Sequence, residues 1–148
     1  MEIIQATSAH VDKFIDDLPE LAHATGPAAY DYQFLSRKYL DPIVRSSWAT
    51  EGSLFGFDGC RLAIEGDELL GIEVGWPGPE FELRKKALAP IWGTLIEDGT
   101  VPQDDLAEMG KRTYLASYLN VAIPKPVHYI HALAVKPEHR GKGIGAAL

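Results

Sequence analysis

The chain has 148 residues, 46% of them hydrophobic and 24% charged, which is one domain's worth of soluble globular sequence, able to bury a core without disulfides. Its 14 basic and 21 acidic residues give a net charge of -7, which argues against a general nucleic-acid binder and suits a positively charged partner such as an amine. The single cysteine, Cys60, excludes an internal disulfide framework and a cysteine-based zinc site, and no other metal site is expected. No apolar run approaches the length of a membrane span and no signal peptide is legible, so the expected location is cytoplasmic, with no membrane partner.

MEIIQAT reads as a short strand, after which Thr7 or Ser8 can cap a helix. Val11, Phe14, Ile15, Leu18, Leu21 and Ala22 then recur at three and four residues, with Pro19 expected to split or kink that helix. Gly26-Pro27 ends it. A second helix is expected over about 28–40 with Ala28, Tyr32, Leu35 and Tyr39 facing inward. Asp41-Pro42 has the chemistry of a cap followed by a first-turn proline, which predicts a short third helix to Trp48.

Residues 50–58 read as a glycine- and aromatic-rich loop. Cys60–Glu65 and Glu68–Trp76 read as two strands joined by a tight Gly66-Asp67 turn. Residues 80–98 and 102–120 carry helical spacing, the first through Leu88, Ile91, Trp92, Leu95 and Ile96, the second through Leu106, Met109, Leu115, Tyr118 and Leu119. Val121–Pro126 is a proline-marked connection. His128–Val135 is the clearest strand, apolar enough for a central buried position. The whole reads as one domain over 1–148 with a helical insertion at about 79–120.

After that strand comes Lys136-Pro-Glu-His-Arg140-Gly-Lys-Gly143-Ile-Gly145, a loop with three glycines opening a helix. Glycines bring backbone close to a ligand, and unpaired amides at the start of a helix attract anions. Phosphate or pyrophosphate is the implied ligand, with Lys136, His139, Arg140 and Lys142 adding charge. The Walker A spacing is absent. Gly141, Gly143 and Ala146 meet a dinucleotide fingerprint literally, but five residues intervene between strand and first glycine, where that fold has a tight turn.

Arg140-x-x-Gly143-x-Gly145, preceded by Leu133-Ala134-Val135 and Pro137, resembles motif A of the GCN5-related N-acetyltransferases, closely over 128–148 and more loosely over 60–76. The resemblance implies an α+β fold with a mixed, mostly antiparallel central sheet flanked by helices. It implies an N-acetyltransferase that uses acetyl-CoA, releases coenzyme A, and acetylates a small-molecule or protein amine by direct attack on the thioester. The implied cofactor site is the backbone of Arg140, Gly141, Lys142, Gly143, Ile144 and Gly145 for the pyrophosphate, with Lys142 or Arg140 reaching a phosphate. The main chain of the Leu133-Ala134-Val135 run would pair with the pantetheine arm. An amide of Val135 or Leu133 would polarise the thioester carbonyl.

Period-two alternation places Tyr129, His131, Leu133 and Val135 on one strand face and His128 on the other. His131 is thus the first candidate base and Glu73, on the neighbouring strand, the second. Tyr129, Trp92, Tyr114 and Tyr118 read as core, Cys60 as a buried thiol, and His10 and His23 as surface residues. The family carries further strand and helix after motif A, with a tyrosine acid for the leaving thiolate, so the chain is expected to be an incomplete form or one completed by a partner; a homodimer is open to it. A non-catalytic acyl-CoA-binding module and a dinucleotide-binding fragment are the competing readings.

Overall fold

The computed structural model describes residues 1–119, 123 and 126–148, and the connection expected over Val121–Pro126 lies largely outside them. Four strands, β1 (Glu2–Gln5), β2 (Cys60–Glu65), β3 (Glu68–Pro77) and β4 (His128–Val135), form one antiparallel sheet in sequential order. β2 and β3 make the expected hairpin, with Gly66 at φ 60° in the turn and Glu65 opposite Glu68. The left-handed backbone there is what glycine permits at no steric cost.

The helices before the hairpin cover one face of the sheet. The first predicted helix is split into α1 (Val11–Phe14) and α2 (Leu18–Ala24), with Pro19 in the first turn of α2, where its missing N–H costs nothing. The next boundaries differ from the sequence expectation. α3 (Pro27–Phe34) stops before Leu35, whose φ is 64°, and α4 runs from Arg37 to Trp48 straight through Pro42. Asp41 is therefore no cap; it is ion-paired to Arg37 one turn earlier. The stripe Tyr39, Leu40, Ile43, Val44, Ser47 and Trp48 is buried, and its packing outweighs the hydrogen bond that the proline forfeits. The expected inner face of α3 is also corrected: Ala28 and Tyr32 are exposed, and Tyr30 and Phe34 pack inward instead.

Phe14, Leu18, Leu21, Leu40, Val44 and Trp48 meet Leu62, Ile72, Val74 and Trp76 from the sheet to form the main core. Of three further helices, α5 (Phe81–Lys86) sets Phe81 against this main core, while α6 (Leu88–Glu97) and α7 (Gln103–Ala116) join α4 in a second cluster around Ile43, Ile91, Leu95 and Met109. Pro90 sits in the first turn of α6, so the predicted 80–98 helix breaks at Ala87. Tyr114, Leu115 and Tyr118 are exposed rather than core, while Trp92 stacks on Phe34 as expected.

Arg84 fastens α5 to the sheet. It is 7% exposed, and its guanidinium lies 5.0 Å from the Trp76 ring centre. It donates to Asp58, Glu80 and the Ser53 carbonyl. Removing the buried guanidinium takes the partner from the buried Ser53 carbonyl and the half-buried Asp58, while Glu80 stays in reach of water. Arg84→Met is expected to cost about 3 kcal/mol of unfolding free energy, and adding Asp58→Asn should recover part of it, as read from urea denaturation.

Candidate active site

β4 departs from regular alternation at one point. Val74 pairs with Ala132, but the next residue, Gly75, pairs with Ile130, so His131 is an extra residue bulged out of the ladder. The bulge shifts the side-chain parity. Tyr129 and His131 turn to the helix-covered face, where they contact Trp76 and Phe81 or Phe55. Ala132 and Ala134 join the same core, whereas Ile130 and Leu133 are 52% and 42% exposed on the opposite face. Val135 packs there against Ala63, Leu70, Ile144 and Leu148. The expected single face of Tyr129, His131, Leu133 and Val135 is thereby corrected. His128 lies opposite to His131, as expected, but it shares its face with Leu133.

β4 is also the outermost of the described strands rather than a central one. β3 occupies one of its edges, and the other is unpaired among the described residues.

The chain turns at Lys136–Arg140 and enters α8 (Ile144–Ala147). Gly141 and Gly143 have φ of 75° and 80°, and a Cβ at either would meet nothing within 4 Å. Among the described residues, no acceptor takes a hydrogen bond from the amides of Gly141 to Gly145. Five consecutive donors are thus left without a protein acceptor, with open space beside Gly141 and Gly143. The side chains of the loop are mostly engaged elsewhere. Lys136 is 2.7 Å from Asp17, His139 is 2.9 Å from Glu68, and Lys142 is 3.4 Å from His139. The hydrogen bond from His139, above all, holds the Glu68 carboxyl below its usual range. Arg140 donates through Nε to the Val135 carbonyl at 2.9 Å, and its two outer nitrogens have no protein partner among the described residues. Ile144 is buried and pins α8 to the sheet.

Glu73 lies on the open face of the sheet. Gln5, Arg61, Glu73 and Leu133 pair in one row across all four strands. Glu73 is 4% exposed, and its Oε2 accepts from both Nε and Nη2 of Arg61. Its Oε1 lies 3.4 Å from Nε2 of His128. These side chains, with Gly75, Ile130, Gly145 and Leu148, line an open groove of 410 Å³, within the range of small-ligand sites. Glu73 and His131 are therefore on opposite faces. Alternation alone hid His128 and Arg61: the partner of a buried carboxylate is fixed by strand register, which the sequence leaves open.

His131 sits among Phe55, Trp76 and Tyr129, and neither ring nitrogen has a partner among the described residues. Burial pushes its imidazole down to about 4 from the usual 6.5, so it is neutral at physiological pH. Cys60 is fully buried and burial raises its thiol far above the ordinary range, as a structural cysteine requires.

The "Acetyltransferase (GNAT) family" model matches residues 20–148, with the strand, the glycine loop and the terminal helix inside the matched span. The chain belongs to the GNAT acetyltransferase family. Two solved structures share the fold. One is an acetyltransferase, 18% identical, superposing with a TM-score of 0.61 over 100% of this chain and 70% of that one. The other is an N-acetyltransferase from Staphylococcus aureus Mu50, 14% identical, with a TM-score of 0.63 over 100% of this chain and 72% of that one. No curated protein matches the chain. As a GNAT member it is an N-acetyltransferase, and its α+β architecture is the expected one, with all four strands antiparallel. Among the described residues no helix is long and apolar enough to cross a membrane.

The depressed His131 imidazole has a consequence for stability. Between about pH 6.5 and 4 the unfolded chain binds a proton at His131 that the folded chain refuses, so stability rises with pH across that window. Acidification through it should cost about 3 kcal/mol from this group, fully expressed below pH 4. Urea titrations at several pH values should show the loss in the wild type and a smaller one in His131→Phe. Equal pH slopes in the two proteins would remove His131 as the source.

Proposed function

We propose that the protein transfers an acetyl group from acetyl-CoA to an amine, and that the amides of Gly141–Gly145 receive the pyrophosphate of the donor. The carrying observation is that run of unsatisfied donors beside open space. A diphosphate offers several acceptor oxygens with strong negative charge, which suits a run of five N–H groups that lack protein acceptors. Arg140 keeps two guanidinium nitrogens uncommitted among the described residues, whereas Lys142 is turned towards His139. The edge of β4 at Leu133-Ala134-Val135, which no strand pairs among the described residues, offers main-chain groups along which an extended amide-bearing arm can pair as an added strand, with the Val135 carbonyl shared with Arg140 Nε.

The donor, when bound, supplies an activated thioester carbonyl. The chain's own part is to orient it, polarise it and move one proton. An amide of Leu133 or Val135 serves as the polarising donor, and such a preorganised N–H stabilises charge developing on the carbonyl oxygen. The acceptor nitrogen must be neutral to attack and must lose a proton as it becomes an amide.

Glu73 is the base on the groove face. Its Oε1 faces His128 at 3.4 Å and can accept an amine N–H, and the two together take up the proton. His131, the alternative base, serves only an acceptor arriving from the helix-covered face, since the bulge directs it there. The acceptor is a small-molecule amine or an amine of a protein.

Two measurements test this reading. Gly143→Val forces a β-branched residue into a left-handed conformation and narrows the loop. Calorimetric titration should show acetyl-CoA affinity lower by about tenfold or more. Undiminished affinity would move the donor site elsewhere. Glu73→Gln should reduce kcat by about 10²- to 10⁴-fold with acetyl-CoA binding retained. A loss of that size in His131→Gln alone would transfer the base to the other face, and donor binding without turnover on any amine would favour a sensing module.

A further inference from the structure

The groove on the open face of the sheet holds more than a base. We infer that it selects an acceptor carrying a carboxylate beside its amine, an amino acid with an apolar side chain, and that Arg61 is the residue that reads the carboxylate. This rests on the proposed acetyl transfer and names the substrate class of the same site.

The charges in the groove are balanced. Glu73 supplies one negative charge, almost fully buried, and Arg61 faces it across the β2–β3 ladder. A site built for a plain ammonium would leave its carboxylate uncompensated, so that the ligand provides the missing positive charge. Here the compensation is built in. A simple amine therefore enters with its own charge unmatched, while a zwitterion preserves neutrality and meets a partner at each end.

The two ends of such a ligand have distinct partners. Arg61 commits only Nε and Nη2 to Glu73, and its Nη1 has no protein partner among the described residues. Its side chain is 47% exposed, so the free end of the fork stands in the groove. A planar fork with a spare nitrogen is suited to a carboxylate. Glu73 Oε1 is held only by the long 3.4 Å contact with His128, which leaves it an acceptor for an ammonium N–H.

Gly75 keeps that oxygen reachable. A Cβ at this position would lie 2.6 Å from His128 Nε2 and 2.9 Å from Glu73 Oε1, filling the space between the two groups. Ile130 and Leu133, exposed at the rim, offer apolar contact to a side chain. Leu133 and Gly145 belong both to the groove and to the proposed donor path, so an amine held by Glu73 lies beside the thioester arm.

The experiment compares L-phenylalanine with 2-phenylethylamine, which differ only in the carboxylate. Thiol release with acetyl-CoA gives kcat and KM for each, and calorimetry gives the binding of each with coenzyme A present. The amino acid should be preferred by about tenfold or more in kcat/KM and in affinity, the equivalent of one charged contact of about 1.4 kcal/mol. Arg61→Gln should erase most of that preference through KM, and Arg61→Lys should restore part of it. Equal use of both probes, a preference for the plain amine, or a preference unchanged in Arg61→Gln overturns the inference. Failure to bind acetyl-CoA at all is a separate result: it sinks the donor reading, while carboxylate-selective binding would still be read directly from the titrations.

Discussion

One extra residue in β4 decides what this sheet presents to each side. Without the bulge at His131, the alternation beginning at Tyr129 would carry both aromatic and imidazole side chains onto the face of Leu133 and Val135. With it, two consecutive residues, His131 and Ala132, both turn towards the helices. The sheet thus has a dry side, where His131 is held neutral among aromatic rings, and an open side, where a buried carboxylate meets an arginine and a second histidine. Bulges re-aim side chains at the cost of one unpaired ladder position, and this one falls where Val74 gives way to Gly75 on the partner strand.

The helices give that sheet its stiffness. Trp48 and Trp76 are buried in the core, and Arg84 lies over the Trp76 ring, so the helical segment after β3 is tied to the strand that carries Glu73. Trp76 in turn touches His131. The site is therefore positioned by strands and packed aromatics rather than by mobile loops, and only the glycine turn is a loop element. Among the described residues, no neighbour uses the amides of that turn from Gly141 to Gly145.

Much of this was legible in residue order. The hairpin at Gly66-Asp67, the strand His128–Val135 and the glycine turn after it each follow from local chemistry: a turn that needs positive φ, a run of apolar β-formers, and glycines where the backbone must stay open. The helix boundaries were less legible. Asp41-Pro42 looks like a helix start, yet the apolar stripe from Tyr39 to Trp48 runs through it, since burial of six side chains outweighs one missing hydrogen bond. Tyr114, Leu115 and Tyr118 have helical spacing but no surface to pack on among the described residues, so periodicity overstated the core.

Sequence alone carried the resemblance to the family and pointed to the loop proposed to seat the donor, because both depend on a contiguous strand, turn and helix whose geometry is local. Glu73 was also visible as a candidate, but only as a carboxylate on a strand. Tertiary structure decided its company. Register across four strands brought Gln5, Arg61, Glu73 and Leu133 into one row, and the bulge put His128 on that side and His131 on the other. Register and parity arise from pairing between residues far apart in the chain, so no window of sequence contains them.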